Sequence, residues 1–428
     1  MAHEIVLNSA MSMRSIDDIV KARLCVGCGA CAFICPDQTI RLVDILEEGI
    51  RPQITDPTRC QTCRDCLDVC PGHEIDFAEH FQRDGVSAEL LPLFGPVLEI
   101  WEGHASDQEI RYQGSSGGAL TALSLYCLER GKMAGVLHIG QNPADPLHNF
   151  TRLSRSRSEL LSFTGSRYAP ASACDRLDLV EHASGPCVFI GQPTEVAALR
   201  KAQAMRPELN KNIGVALSFF CAGSPSTQGT LELLKQVGVD HRSVHSLRYR
   251  GRGWPGMFAT QSADEPTKDH LTYQQSWQFL QAFRPFSAHL NPDGAGDHAD
   301  ISCGDPWYRA VKNGEPGSSL IVVRTEQGRA VLRAAMEAGY LELTLSDSGK
   351  LIKSQQNLVM KRRAIWGRRF AFKLFGLPLT KLRGLPLFRL WCGLPMTDKI
   401  KSISGTVRRI FRRRLYRRLV VRIPPESV

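Results

Sequence analysis

Residues 25–36 read CVGCGACAFICP and residues 60–71 read CQTCRDCLDVCP. In each run the cysteines fall as C-x2-C-x2-C-x3-C-P: Cys25, Cys28, Cys31 and Cys35 before Pro36, then Cys60, Cys63, Cys66 and Cys70 before Pro71. Three thiolates in one tight loop can cap three corners of an iron–sulfur cube, and the fourth, one turn further on, reaches a neighbouring cube. The spacing predicts two interlocked [4Fe-4S] clusters, one on Cys25, Cys28, Cys31 and Cys70, the other on Cys60, Cys63, Cys66 and Cys35. A zinc site prefers two separated Cys pairs, and disulfides need an oxidising compartment. The whole pattern with its proline, met twice, favours iron–sulfur over both. A chain built this way moves electrons.

At 428 residues the chain is too long for a bacterial-type two-cluster ferredoxin alone. Six of its 14 cysteines lie outside the two runs, scattered, and free thiols beside iron–sulfur ligands point to a reducing compartment. The opening stretch MAHEIVLNSAMSMRSIDDIV has no basic region followed by an apolar one, and no run of about 18 apolar residues occurs anywhere. The expectation is a cytoplasmic protein, or one peripheral to the inner face of the membrane. The net charge of +10 is uneven: residues 361–428 hold 19 Lys and Arg against Asp398 and Glu426, and the rest of the chain is net acidic.

The pattern divides the chain into a lead-in (1–18), a two-[4Fe-4S] ferredoxin-type domain (19–83), an α/β domain (95–350) and a basic amphipathic tail (351–428). Within the head, residues 40–58 leave room for a hairpin turning at Gly49. From Phe94 onward, strands alternate with helices. Gly114-Ser115-Ser116-Gly117-Gly118 opens a helix over 119–130, followed by a buried strand over 134–139. Strands over 187–190 and 213–220 each run through a small-residue turn into a helix, over 195–205 and 227–237. Further strands are read at 300–304 and 319–324, with a helix over 328–339. Such units imply an α/β sheet whose ligands bind at the carboxyl ends of the strands.

Three loops carry binding chemistry. Gly114 to Gly118 offers backbone N–H groups at a helix start, suited to a phosphate or pyrophosphate; a helix start rich in capping serines is the alternative. Thr164-Gly165-Ser166-Arg167-Tyr168 combines hydrogen-bonding groups with an aromatic able to stack on a flat ring. The third, from Arg248 to Gly256, is cationic and aromatic together.

The stretches GSSGGALTALSLYCLERGKMAGVL, TGSRYAPA, GQPTEVAALRK, RYRGRGWPG and ADISCGDPW, in that order, resemble the beta subunits of coenzyme F-420 hydrogenases and dehydrogenases. That family includes 7-hydroxymethyl chlorophyll a reductases and a class of divinyl chlorophyllide 8-vinyl reductases. The resemblance spans about residues 98–345. It implies an FAD-binding domain that exchanges electrons with the clusters, the flavin held by Gly114, Ser115, Ser116, Gly117, Gly118, Thr164, Gly165, Ser166 and Tyr168, with Gly191 close by. It further implies a ferredoxin or similar electron donor and an organic acceptor. Tyr168, Arg250 and His298 are the candidate proton donors or substrate anchors.

One departure matters. Several relatives hold a further cluster in this domain, through a Cys in the turn matching Gly191–Glu195, one matching Cys221, and a C-x2-C pair before the A-D-I strand. Here Thr194 stands in the turn and QAFRPFSAHLNPDGAGDHADI has no cysteine, so only Cys221 remains. The expectation is two clusters in the head and none in the flavin domain. Cys221 is then an active-site thiol or a buried small residue; Cys127, Cys174 and Cys187 read as core. Cys303 and Cys392 carry no assignment.

In the tail, Ile400, Ile403, Val407, Ile410, Phe411, Leu415 and Leu419 keep helical spacing from Lys399 to Arg422, with arginines opposite. A basic amphipathic helix suits an anionic membrane surface or an acidic protein partner; no nucleic-acid fold accompanies it. The combined reading is an iron–sulfur flavoprotein oxidoreductase. An electron-transfer subunit without its own substrate and a non-catalytic accessory protein with a decayed flavin site are the other classes.

Overall fold

A computed structural model describes residues 13–421 except 61, 264, 312 and 313. Its centre is an eight-stranded sheet in the order Leu341–Leu345, Glu99–Ala105, Ser319–Val323, Ile301–Gly304, Ile213–Phe219, Cys187–Gly191, Gly135–Asn142, Asp145–Ser154. The four strands from Ile301–Gly304 to Gly135–Asn142 pair in parallel, and antiparallel strands flank them on both sides. The parallel strands read as apolar runs because both their faces are covered. On one face, helices Ala119–Glu129 and Glu326–Glu337 enclose a core with Leu123, Val188, Leu217 and Ile321. On the other, helix Pro193–Met205 packs with Leu137, Phe189 and Ala216, and Cys28, Ile34 and Val69 of the head join the same core.

The helix starts follow from local chemistry. Pro193 sits in the first turn of its helix, and Gln192 and Glu195 form a capping box. Thr325 accepts from the Gly328 N–H at the start of the next. Helix Ala119–Glu129 differs: Gly118 precedes it in the left-handed region (φ 73°) and no side chain caps it. A three-stranded antiparallel sheet (Val244–Arg248, Met257–Ser262, Lys268–Thr272) rises beside the main one and packs on Leu233, Leu234 and Leu280.

In the head, strands Ile40–Ile45 and Gly49–Ile54 form the expected hairpin, with Gly49 at φ 78°. Helix Ile16–Lys21 starts on a Ser15–Asp18 capping box and buries Ile16, Ile19 and Val20, so the expected boundary at residue 18 falls inside a helix. At the other end, helix Met396–Arg412 starts earlier and stops sooner than the spacing predicts. Arg414 adopts a left-handed conformation (φ 50°), and Leu415 and Leu419 turn away to pack with Ile16, Ile19 and Leu24 of the head. The residues after 421 lie outside the described residues. The basic segment is therefore folded onto the head, anchored further by the Leu419 N–H donating to the Lys21 carbonyl at 3.0 Å.

Candidate functional site: two thiol cages and a glycine loop

The eight cysteines of the head gather into two groups that cut across the two sequence runs. Cys25, Cys28, Cys31 and Cys70 line one pocket, together with Ile16, Val26, Leu42 and Pro52. All four are buried. Burial, then the neighbouring Cys25 thiol, pushes Cys70 up to about 12, and burial with neighbouring thiols likewise raises Cys28 and Cys31. Four thiols crowded in an apolar pocket become ligands when bound iron replaces their protons. The second group is more open: Cys63 is exposed, and Cys35, Cys60 and Cys66 are half-buried. Cys66 is pushed up to about 11 by burial and by the charges of Cys63, Cys35 and Cys60. Thr39 Oγ1 lies 3.5 Å from Cys35 Sγ and 3.4 Å from Cys60 Sγ, joining one cysteine of each run. Both sets match the donor chemistry of [4Fe-4S] ligation.

The inner cage is built into the larger domain. Ser172 Oγ donates to the Gly27 carbonyl (2.7 Å), the Cys174 N–H donates to the Cys28 carbonyl (2.9 Å), and Lys201 Nζ donates to the carbonyls of Cys70 (3.2 Å) and Glu74 (2.9 Å). Gly29 adopts φ 84°, and a Cβ there would lie 2.8 Å from Asp175 Cβ.

The segment that touches the inner cage begins at the candidate flavin loops. The Ser166 N–H donates to Ser115 Oγ (3.0 Å), so the glycine loop and the Thr164–Tyr168 loop meet. Gly117 is tightly held: its N–H donates to Ser319 Oγ (2.9 Å), and a Cβ there would come within 2.7 Å of the Gly103 carbonyl oxygen. Gly165, at φ 110°, faces open space. The uncapped first turn of helix Ala119–Glu129 leaves backbone donors suited to a phosphate.

Beside these loops stands an aromatic wall. Tyr168 touches the rings of Tyr249, Tyr273 and Trp277, and Trp307 stacks against both Tyr273 and Trp254. Arg250 lies over Tyr273 at 4.2 Å and donates through two nitrogens to Asp305 (3.0 and 2.8 Å). Asp305 also accepts from Trp254 Nε1 (2.9 Å) and from Ser116 Oγ of the glycine loop (3.1 Å). Arg250 reaches Tyr168 Oη at 3.5 Å. Burial raises the Tyr168 phenol above its ordinary value. A dinucleotide with a planar ring fits these features: a tight glycine turn, an uncapped helix start and a stacked aromatic wall. Asp305, Tyr273, Trp277 and Trp307 were not singled out from the sequence. The GDPW run was a visible signal, but its role as a hub needs the fold.

Two expected site residues sit elsewhere. Among the described residues no hydrogen bond joins Gly191 to the glycine loop; its carbonyl accepts from Ser218 Oγ (2.9 Å) inside the sheet. His298 packs on Phe77 and His80, with Nε2 3.0 Å from the Asp76 carbonyl oxygen, at the contact between head and sheet. It does not join Tyr168 and Arg250. Cys127, Cys174, Cys187 and Cys303 are buried, and Cys392 is exposed. Cys221 is 3.4 Å from Gln192 Oε1, and its N–H donates to the Gly294 carbonyl (2.8 Å), so the turn after Gly191, Cys221 and the segment before Asp300 converge. What faces the lone thiol here is Lys361 and Arg284: burial lowers Lys361 to about 8 while Cys221 opposes that shift.

Comparison with known proteins fits this geometry. Residues 24–87 match the 4Fe-4S dicluster domain, residues 100–177 the coenzyme F420 hydrogenase/dehydrogenase beta subunit N-term, and residues 186–348 the corresponding C terminus. The chain is 24% identical over 333 residues to a coenzyme F420-dependent sulfite reductase of Methanocaldococcus jannaschii, covering 74% of this chain and 47% of that one. It therefore spans about half the length of that relative. To the coenzyme F420 hydrogenase subunit beta of Methanococcus voltae it is 26% identical, over 63% of this chain and 90% of that one. The fold is similar to a chain of the F420-reducing [NiFe] hydrogenase complex from Methanosarcina barkeri, with a TM-score of 0.51 and 19% identity, covering 68% of this chain and 98% of that one.

Proposed function

This chain belongs to the coenzyme F420 hydrogenase/dehydrogenase beta-subunit family, with a 4Fe-4S dicluster domain at its head, and we propose that it acts there as an iron–sulfur flavoprotein oxidoreductase. When bound, FAD would collect electrons supplied singly by a ferredoxin or similar donor through the two clusters and deliver them as a pair to an organic acceptor.

The observation that carries the reading is the short run from Ser166 to Cys174. It leaves the glycine loop at Ser115 and ends against Gly27 and Cys28 of the buried cage. The half-exposed cage would meet the donor, and the buried one would face the flavin. The Gly114–Gly118 loop would hold the pyrophosphate at the uncapped start of helix Ala119–Glu129, with Thr164, Gly165 and Ser166 closing over it. The Tyr168 phenol, protonated at neutral pH, would offer a hydrogen bond at the ring's edge. Arg250, committed to Asp305, would hold that phenol in position and screen the site from water with Tyr273 and Trp307. Support for a two-cluster count comes from the Cys221 corner, where a single thiol stands without the further cysteines that a cube requires.

Anaerobic stopped-flow mixing with reduced ferredoxin tests this reading. Bleaching of the iron–sulfur absorbance followed by bleaching of the flavin bands is the expected order. Protein purified without flavin, and unable to bind added FAD, would contradict it. A second reading, an electron-transfer subunit inside a larger complex, is favoured by the subunit name of the Methanococcus voltae relative. It predicts copurification with another oxidoreductase and no turnover alone.

A further inference from the structure

Among the described residues, nine of the twelve exposed large hydrophobic side chains lie between Met360 and Val420. That segment is past the last residue matched to the family, and it also carries the chain's excess of Lys and Arg. Scattered exposed apolar residues are ordinary, but a concentration on one unit marks a contact surface.

Helix Met396–Arg412 accounts for much of it. Met396, Ile400, Ile403, Val407 and Phe411 follow one another at spacings of three and four, which aligns them along a single stripe. The middle of that stripe, Ile403 and Val407, is half-buried on the protein, and its ends are not. Ser402, Thr406 and Ile410 are the buried positions. Ser402 meets helix Ile365–Leu374 at Gly367, where a Cβ would lie only 2.1 Å from Ser402 Oγ, and Trp391 Nε1 donates to the same hydroxyl at 3.0 Å. The large apolar residues are left outside: Met396 is 67% exposed, Ile400 58% and Phe411 55%. Lys401, Arg408 and Arg412 stand exposed beside the stripe. Phe375 packs edge-on against Phe411 and extends the apolar face, with Leu374 exposed next to it. Behind it, Phe372, Ile410, Leu415 and Leu419 fix the unit to the head, so this face has a set direction.

We propose that this face seats the protein on an anionic lipid bilayer, lying in the interface with Met396, Ile400, Phe375 and Phe411 among the acyl chains and the flanking Arg and Lys on the headgroups. The charge balance selects this occupant. From Lys361 to Leu419 the only acidic residue is Asp398, and long apolar side chains rimmed by Arg and Lys suit an anionic surface over an apolar interior. No helix among the described residues is long and apolar enough to cross a membrane, so the contact is one of lying on the surface. The inference does not depend on the flavin or on the acceptor.

Cosedimentation of the full chain, with its clusters intact, tests it. The probes are vesicles of phosphatidylcholine with phosphatidylglycerol, set against vesicles of phosphatidylcholine alone. The expected result is binding to the anionic vesicles, weakened by salt, and little binding to the neutral ones. Ile400→Glu combined with Phe411→Glu should weaken partitioning on the order of 10- to 100-fold, because two apolar anchors are lost and two like charges are added. Arg408→Glu with Arg412→Glu is the second variant, and unchanged cluster absorbance reports folding in both. No cosedimentation at low salt, or equal binding by the folded variants, would overturn the proposal. Saturable capture by an acidic protein without vesicle binding would overturn it in favour of a protein partner.

Discussion

The two cysteine runs share one spacing and end in opposite surroundings. Cys25, Cys28, Cys31 and Cys70 are sealed behind Ile16, Leu42 and Pro52 and tied to the sheet domain by Ser172, Cys174 and Lys201. Cys35, Cys60, Cys63 and Cys66 sit at or near the surface. A motif specifies which atoms can be held; the rest of the chain specifies whom the held group can reach. A buried cage exchanges electrons with an internal partner, and an open one with a visitor. In the proposed function, that asymmetry would set the order of the electron path.

Replacement of one cysteine from each cage is expected to have the largest effect. Cys28→Ser should remove one cluster, leaving about four iron atoms per chain, and also lower the thermal midpoint, since Cys28 packs in the core shared by head and sheet. Cys63→Ser, at an exposed site, should cost the same iron and leave the midpoint nearly unchanged. Cys35→Ser should silence the same paramagnetic signal as Cys63→Ser, and Cys70→Ser the one lost with Cys28→Ser. Pairing by sequence run, with Cys35 grouped with Cys28, would break the comparison.

Next comes the joint between the regions. Gly29→Ala would drive a Cβ to 2.8 Å from Asp175 Cβ at a positive φ. A loss of about 1–3 kcal/mol in stability is expected, with slower reduction of the flavin and little change at the open cage. Equal slowing of donor-to-cluster transfer, read by rapid mixing, would count against it.

The sheet domain should also respond to acid by itself. His138 is buried, 2.8 Å from Ser154 Oγ, and burial lowers it from 6.5 to about 4. The unfolded chain therefore binds more protons between those values, so stability contributed by neutral His138 is intact above pH 6.5 and lost as pH falls towards 4. The loss approaches about 3 kcal/mol at the acid end. His138→Gln should flatten that part of a melting-temperature profile; an unchanged slope would place the acid sensitivity elsewhere.

The smallest effect is expected at Lys201. Its ammonium donates to the Cys70 carbonyl beside the buried cage. Lys201→Met removes a cation near an added electron, so the midpoint potential of one cluster should move negative while the other stays put. A redox titration showing both shifted equally would contradict the assignment of Lys201 to one cage.

Much of this was legible in the residues themselves. The doubled C-x2-C-x2-C-x3-C-P run gives the thiols, and apolar runs such as Cys187–Ile190 and Ile213–Phe220 give the parallel strands nearly to their ends. Asp145–Ser154 escaped, because an edge strand buried only in part keeps Pro, His, Asn and Arg and shows no apolar run. Leu341–Leu345, also an edge strand with most side chains exposed, escaped for the same reason. Asp305 could not be found from its neighbours in the chain: Ser116, Arg250 and Trp254 meet it only once three distant loops have folded together. His298 misled because a histidine near a promising motif says nothing of the side it faces, and here it faces the head. The tail shows amphipathic spacing, but which stripe it buries is set by Gly367 and Trp391, in other helices.

The most direct test is a count. Protein purified without oxygen should contain about eight iron atoms and as many acid-labile sulfides per chain, together with one FAD. Eight iron atoms without flavin would contradict the flavoprotein reading, and a count close to twelve would mean that Cys221 and its surroundings hold a third cluster after all.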